Sequence, residues 1–126
     1  MYPKMHLWLA GLALAGCAGH PPSPSPEPWS PDATITISAD NRRFDDVVVS
    51  LVRNGQRERL GLVTAQSKTS FSVSYGRVGN SSPLALLVSP IGSRRGYVTE
   101  RLLLRPGSEV ALTVTPLIRQ TSVSVY

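Results

Sequence analysis

The sequence predicts an all-β fold: an antiparallel two-sheet β-sandwich of about seven to eight strands, preceded by a signal peptide and a proline-rich stalk. Three observations predict it. Apolar and polar residues alternate in short runs from Ala33 onward, as in Thr34-Ile35-Thr36-Ile37-Ser38, which is the two-residue period of a half-buried strand. Turn residues interrupt these runs at intervals of roughly 8 to 14 residues, the spacing of a sandwich or small barrel. No stretch keeps a helical period, and the 11 prolines and 10 glycines gather in one tract and in short turn clusters.

At 126 residues the chain has the length of one domain with short appendages. Three segments are expected: residues 1–16 as a leader, residues 17–32 as a cysteine followed by a Pro/Ser-rich linker, and residues 33–126 as the sandwich.

The leader starts with a polar head that holds Lys4 and His6, then runs through Leu7-Trp8-Leu9-Ala10-Gly11-Leu12-Ala13-Leu14-Ala15. This apolar run is about half of the roughly 20 residues that a permanent bilayer helix needs, so it reads as a secretory signal. It stops at Leu14-Ala15-Gly16-Cys17, where the single cysteine of the chain stands. These four residues resemble the bacterial lipobox. The resemblance implies cleavage between Gly16 and Cys17, a thioether-linked diacylglycerol on Cys17, and usually an amide-linked acyl chain as well. Several acyl chains, at about 0.8 kcal/mol per buried methylene, hold a membrane far more firmly than one. Ala18 in place of an aspartate implies sorting to the outer membrane. An ordinary signal peptide cut nearby would instead leave a free thiol in an oxidising compartment.

After the cysteine come Pro21, Pro22, Pro24, Pro26, Pro28 and Pro31, with serines among them. Such a tract cannot pack a core and prefers the extended polyproline helix. At 3.1 Å per residue it reaches on the order of 45 Å, as a semi-rigid stalk would. Trp29 could pack on the domain or lie at the lipid interface.

Within the sandwich, strands are expected over residues 34–38, 46–53, 59–64, 69–74, 84–88, 97–104, 109–115 and 120–126. One hairpin can be written with its register, because Asn54-Gly55 tolerates the positive φ of a two-residue turn. Arg53 then faces Gln56, Val49 faces Leu60 and Val47 faces Leu62. The face carrying Val47, Val49, Leu51, Leu60 and Leu62 is assigned to the core, and the face carrying Ser50, Val52, Arg57 and Arg59 to water. Pro106-Gly107 and the segment Gly92-Ser93-Arg94-Arg95-Gly96 supply later turns.

The valine-rich run 46–53, the Asn-Gly turn and the return Arg59-Leu60-Gly61-Leu62-Val63 resemble transthyretin-like or carboxypeptidase-regulatory-like sandwich modules. Arg105-Pro106-Gly107-Ser108-Glu109-Val110 is similar to the final turn of many immunoglobulin-like sandwiches. Both resemblances imply a fold of the kind used for adhesion, docking or stabilisation, and neither carries site residues across.

The net charge of +5 comes from 13 basic and 8 acidic residues. The eleven arginines are scattered and interleaved with acids, and aromatics make up only 6%; nucleic-acid binders cluster their charge and add stacking rings, so no nucleic-acid partner is expected. Catalytic sets are equally thin. Of the two histidines, His6 belongs to the leader and His20 to the stalk, which leaves a serine nucleophile in the domain without a local histidine base. No catalytic residue, metal site or cofactor is therefore expected. Asp40-Asn41 with Asp45-Asp46 could chelate calcium but lack the glycine and closing glutamate of a calcium loop; a turn at Asp40-Asn41, with the acids paired to Arg42 or Arg43, is the expectation. The function class that remains is a lipid-anchored envelope protein, facing the periplasm or surface, that binds or scaffolds an envelope protein or glycan without catalysis. One alternative is a small hydrolase or carbohydrate-active enzyme using two of Asp40, Asp45, Asp46, Glu58, Glu100 and Glu109. The other is an anionic glycan or lipid binder through Arg94 and Arg95, whose forked guanidinium groups suit phosphate or sulfate.

Overall fold

The computed structural model describes Gly19, residues 32–78 and residues 83–126. The expectations placed on Gly16, Cys17 and Trp29 lie outside the described residues.

Eight strands among the described residues form two four-stranded sheets. They are β1 (Thr34–Asn41), β2 (Val47–Arg53), β3 (Gln56–Val63), β4 (Ser67–Ser74), β5 (Ala85–Pro90), β6 (Tyr97–Val98), β7 (Glu109–Val114) and β8 (Ser122–Val125). One sheet has the order β4-β1-β7-β8 and the other β3-β2-β5-β6, which is an all-β two-sheet sandwich. The expected alternation decides which side chains fill it. Ile35, Ile37 and Ala39 of β1, Val73 of β4, and Val110, Leu112 and Val114 of β7 meet Val47, Val49 and Leu51 of β2, Val63 of β3, and Leu86 and Val88 of β5 in one buried cluster. Each fully buried valine, leucine or isoleucine contributes about 1.5–3 kcal/mol.

Pairing is antiparallel except between β1 and β7, which run parallel. Parallel neighbours need a long connection, and here the whole second sheet intervenes in sequence between them.

The β2–β3 hairpin turns where expected: Asn54 has φ 49° and Gly55 φ 75°, both positive as a type I′ turn requires. Its register needs one correction. The expected pairs hold from Arg53↔Gln56 to Ser50↔Arg59, after which Val49 faces Gly61, Val48 faces Leu62 and Val47 faces Val63. Leu60 is the extra residue of a β-bulge. The reason lies in parity, because Arg59 and Val63 would share a face of a regular strand. The bulge reverses the alternation between them, leaving Arg59 in solvent while Val63 is buried, and it turns Leu62, expected in the core, outward to 39% exposure.

Other strands depart from expectation at their ends. Asp40 and Asn41 do not turn; they complete β1, with Asn41 between Ser67 and Val114. β6 stops after Val98 because the Thr99 side chain takes the next place on the ladder, its Oγ1 accepting the Leu86 N–H at 2.9 Å. The Thr99 N–H still donates to Leu86 O at 2.9 Å, and beyond it the two segments meet again at the bridge between Leu84 and Leu102. The run before β8 winds into a 3₁₀ turn at Ile118–Gln120, and Tyr75–Val78 forms one turn of helix, α1, that buries Val78.

These registers define two ends. Residues 42–46, 64–66, 91–96 and 115–121 gather at one, the loop end. Thr34, the Asn54-Gly55 turn, α1 and Tyr126 lie at the other, where Tyr126 exchanges backbone hydrogen bonds with Glu109 and the Tyr75 N–H donates to Ala33 O.

Candidate functional site

The loop end is built around Asn41, which is fully buried. Its Nδ2 donates to the carbonyls of Asp45 at 2.9 Å, Thr64 at 3.1 Å and Val63 at 3.2 Å, and its Oδ1 accepts the Arg43 N–H at 3.0 Å. One side chain thereby ties the last residue of β1 to the β1–β2 loop and to the exit from β3 in the opposite sheet.

Arg43 extends the tie. Its Nε and Nη2 donate to the two carboxylate oxygens of Asp45 at 2.7 and 3.0 Å, the bidentate fork that suits arginine to carboxylate. Its Nη1 donates to Pro116 O and, at 3.5 Å, to Thr115 O, so the β1–β2 loop holds the β7–β8 connection in place. The hydrogen bonds from Arg43 hold the Asp45 carboxyl below the ordinary aspartate value of 3.8; partial burial opposes this and the guanidinium charge adds to it.

The remaining acids at this end are also bonded. Asp40 pairs with Arg42 at 3.1 Å, and Asp46 Oδ1 accepts the Ala65 N–H at 2.8 Å. The expected pairing with Arg42 and Arg43 thus holds for Asp40 and Asp45, whereas Asp46 bonds the β3–β4 turn backbone instead. Elsewhere Glu58 pairs with Arg77. Among the described residues no three His, Cys, Asp or Glu side chains form a group able to hold a metal ion, and no helix is long and apolar enough to cross a membrane.

Arg94 and Arg95 stand on the exposed loop between β5 and β6. Ser93 shapes it, its Oγ accepting the Arg95 N–H at 3.1 Å. Gly96 closes it flat against β5, where an added Cβ would stand 2.9 Å from Leu87 Cδ1 and 3.1 Å from Val88 O. Both arginines line a groove of about 460 Å³ together with Gly96, Tyr97, Val98, Ile118 and Arg119. Arg119 is the member that sequence reasoning missed, for it lies on the other sheet's connection, 24 positions along the chain from Arg95. The strand order brings it near: β6 and β8 are edge strands on the same side of the sandwich, so the turn leading into β8 faces the loop leading into β6. Among the described residues none of the three guanidinium groups has an ion pair.

Apolar side chains share this end, with Phe44 86%, Leu117 64% and Ile91 56% exposed. A second opening of about 470 Å³, lined by Arg43, Pro116, Leu117, Ile118, Arg119 and Gln120, adjoins the arginine groove through Ile118 and Arg119.

No family model matches this chain. No curated protein matches it either. Among solved structures, the chain is similar to an NMR structure of a protein from Eubacterium rectale at 16% identity, with 75% of this chain and 87% of that one covered and a TM-score of 0.45.

Proposed function

We propose that the protein is a lipid-anchored component of a bacterial cell envelope, a non-catalytic module that binds or scaffolds another envelope component with the loop end of its sandwich. The anchor in this reading is Cys17, acylated after cleavage behind Gly16, and the Pro/Ser-rich segment is the spacer that lifts the domain from the lipid surface. The observation that carries it is the path of the chain, which enters the sandwich at one end and gathers the β1–β2, β3–β4, β5–β6 and β7–β8 loops at the other. Chain arriving from the stalk enters β1 at Thr34, at one end. Arg94, Arg95 and Arg119, with the exposed Phe44, Ile91 and Leu117, lie at the other. A tether fixed at the first end leaves the second facing outward, where exposed apolar residues rimmed by charge suit a partner.

Fractionation of a bacterial host expressing the full chain tests the anchor. The protein is expected in the membrane fraction and its Cys17→Ser variant in the soluble envelope fraction; equal retention of both on the membrane would contradict the reading.

A further inference from the structure

We infer that the groove between the β5–β6 and β7–β8 loops binds an acidic glycan, a sugar chain bearing carboxylate or phosphate groups, through Arg94, Arg95 and Arg119. The inference deepens the binding-module reading and rests on it for where the ligand is met.

Three features of the groove specify the ligand. It brings three arginines from two separate loops to one concavity, and among the described residues their guanidinium groups have no carboxylate partner. Arginine forks match the paired oxygens of carboxylate and phosphate and are less strongly hydrated than ammonium groups, so they yield their water to such oxygens readily. The same groove is lined by the half-buried Tyr97 and Ile118 and the more exposed Val98. A ring and two aliphatic side chains beside a cationic cluster fit a ligand whose charges sit on a body with C–H faces, as in a pyranose. The volume of about 460 Å³ falls in the range of roughly 300–1,000 Å³ typical of ligand sites and accommodates a short stretch of such a chain.

Competing polyanions fit less well. A single-stranded nucleic acid needs a series of stacking rings along a basic track, whereas among the described residues Tyr97 is the one aromatic lining the groove, and Asp40, Asp45 and Asp46 share the loop end. A lipid headgroup in the anchoring membrane would be met at the opposite end, where β1 begins. Arg43 is a positioning residue here: its guanidinium is committed to Asp45 and to the Pro116 carbonyl, which holds the connection that bears Arg119.

The test is calorimetric titration of the purified full-length protein with polygalacturonate, polyglutamate and uncharged dextran. Polygalacturonate is expected to bind and to weaken as salt is raised; polyglutamate should bind more weakly and dextran not at all. The triple variant Arg94→Ala/Arg95→Ala/Arg119→Ala is expected to lose about tenfold or more in affinity for polygalacturonate with its melting temperature unchanged, and Arg53→Ala/Arg57→Ala at the other end to lose little. Vesicles of anionic phospholipid are compared between wild type and the triple variant, since any anchor is common to both. Absence of polygalacturonate binding, equal binding by the triple variant, polyglutamate binding as tight as the sugar polymer, or an arginine-dependent gain on vesicles alone would each overturn the assignment. The Cys17→Ser fractionation has no bearing on these titrations, so failure of the anchor and failure of the groove are told apart.

Discussion

The ring of Phe71 occupies the space that a side chain at Gly61 would fill: a Cβ placed on Gly61 would stand 2.8 Å from Phe71 Cε1. Gly61 belongs to the edge strand β3 and Phe71 to the edge strand β4 of the opposite sheet, so this contact closes one open side of the sandwich while the arginine groove marks the other. Gly61→Ala should force the ring aside and cost about 1–3 kcal/mol, as overpacking does. Thermal unfolding checks it, at about 4–8 °C per kcal/mol for a domain of this size. Adding Phe71→Leu should restore part of the loss, and an unchanged melting temperature for Gly61→Ala alone would show that the ring has room to move.

Asn41 is the tie at the loop end, and its removal should be costly. Asn41→Ala takes the side-chain donor from three carbonyls and the acceptor from the Arg43 N–H. Unsatisfied buried groups cost about 1–3 kcal/mol each, so a loss of about 3 kcal/mol is expected in urea denaturation. A loss below about 1 kcal/mol would mean that the connections hold one another without it.

Asp45 gives the acid limb of stability a sign. Its carboxyl is held below 3.8 in the folded protein, first by the Arg43 hydrogen bonds. A carboxyl whose value is depressed by folding stabilises the native state above its unfolded value and loses that contribution as pH falls through the lower folded value. Asp45→Asn should therefore melt a few degrees below wild type at pH 7, with the gap narrowing as pH falls below the ordinary aspartate value of 3.8. The effect is modest because the Asp45 side chain is 42% exposed and water screens the pair. A gap that is constant from pH 7 to pH 2 would contradict this account.

Thr121 offers the opposite kind of change. It is 7% exposed, and among the described residues its Oγ1 has no hydrogen-bond partner. Replacing an unpaired buried hydroxyl by a methyl of similar shape removes a desolvation penalty, so Thr121→Val should stabilise by about 1 kcal/mol. A fall in melting temperature would show that the hydroxyl is bonded after all.

These residues also show what could be read from the chain beforehand. Period-two alternation placed β1 and β7 because burial on one face leaves that pattern in sequence, whereas β5, with Ala85 to Val88 all buried, is an apolar run; the Asn54-Gly55 turn fixed the hairpin near its tip. The pattern did not reveal the bulge at Leu60, since an extra residue changes no residue type. Thr99 ended β6 by a side-chain hydrogen bond that β-propensity favours rather than forbids. Arg94 and Arg95 stood out as a pair on a glycine-flanked loop. Arg119 did not, because its neighbourhood depends on which edge strands face each other, and strand order is a property of topology with no local mark.

The anchor remains the central claim, and mass spectrometry of the N-terminal peptide from protein purified out of its native envelope tests it most directly. The account predicts a chain whose first residue is Cys17, heavier by a diacylglyceryl group and commonly by a further acyl chain. A peptide that retains residues 1–16, or one whose Cys17 thiol is unmodified, would contradict it.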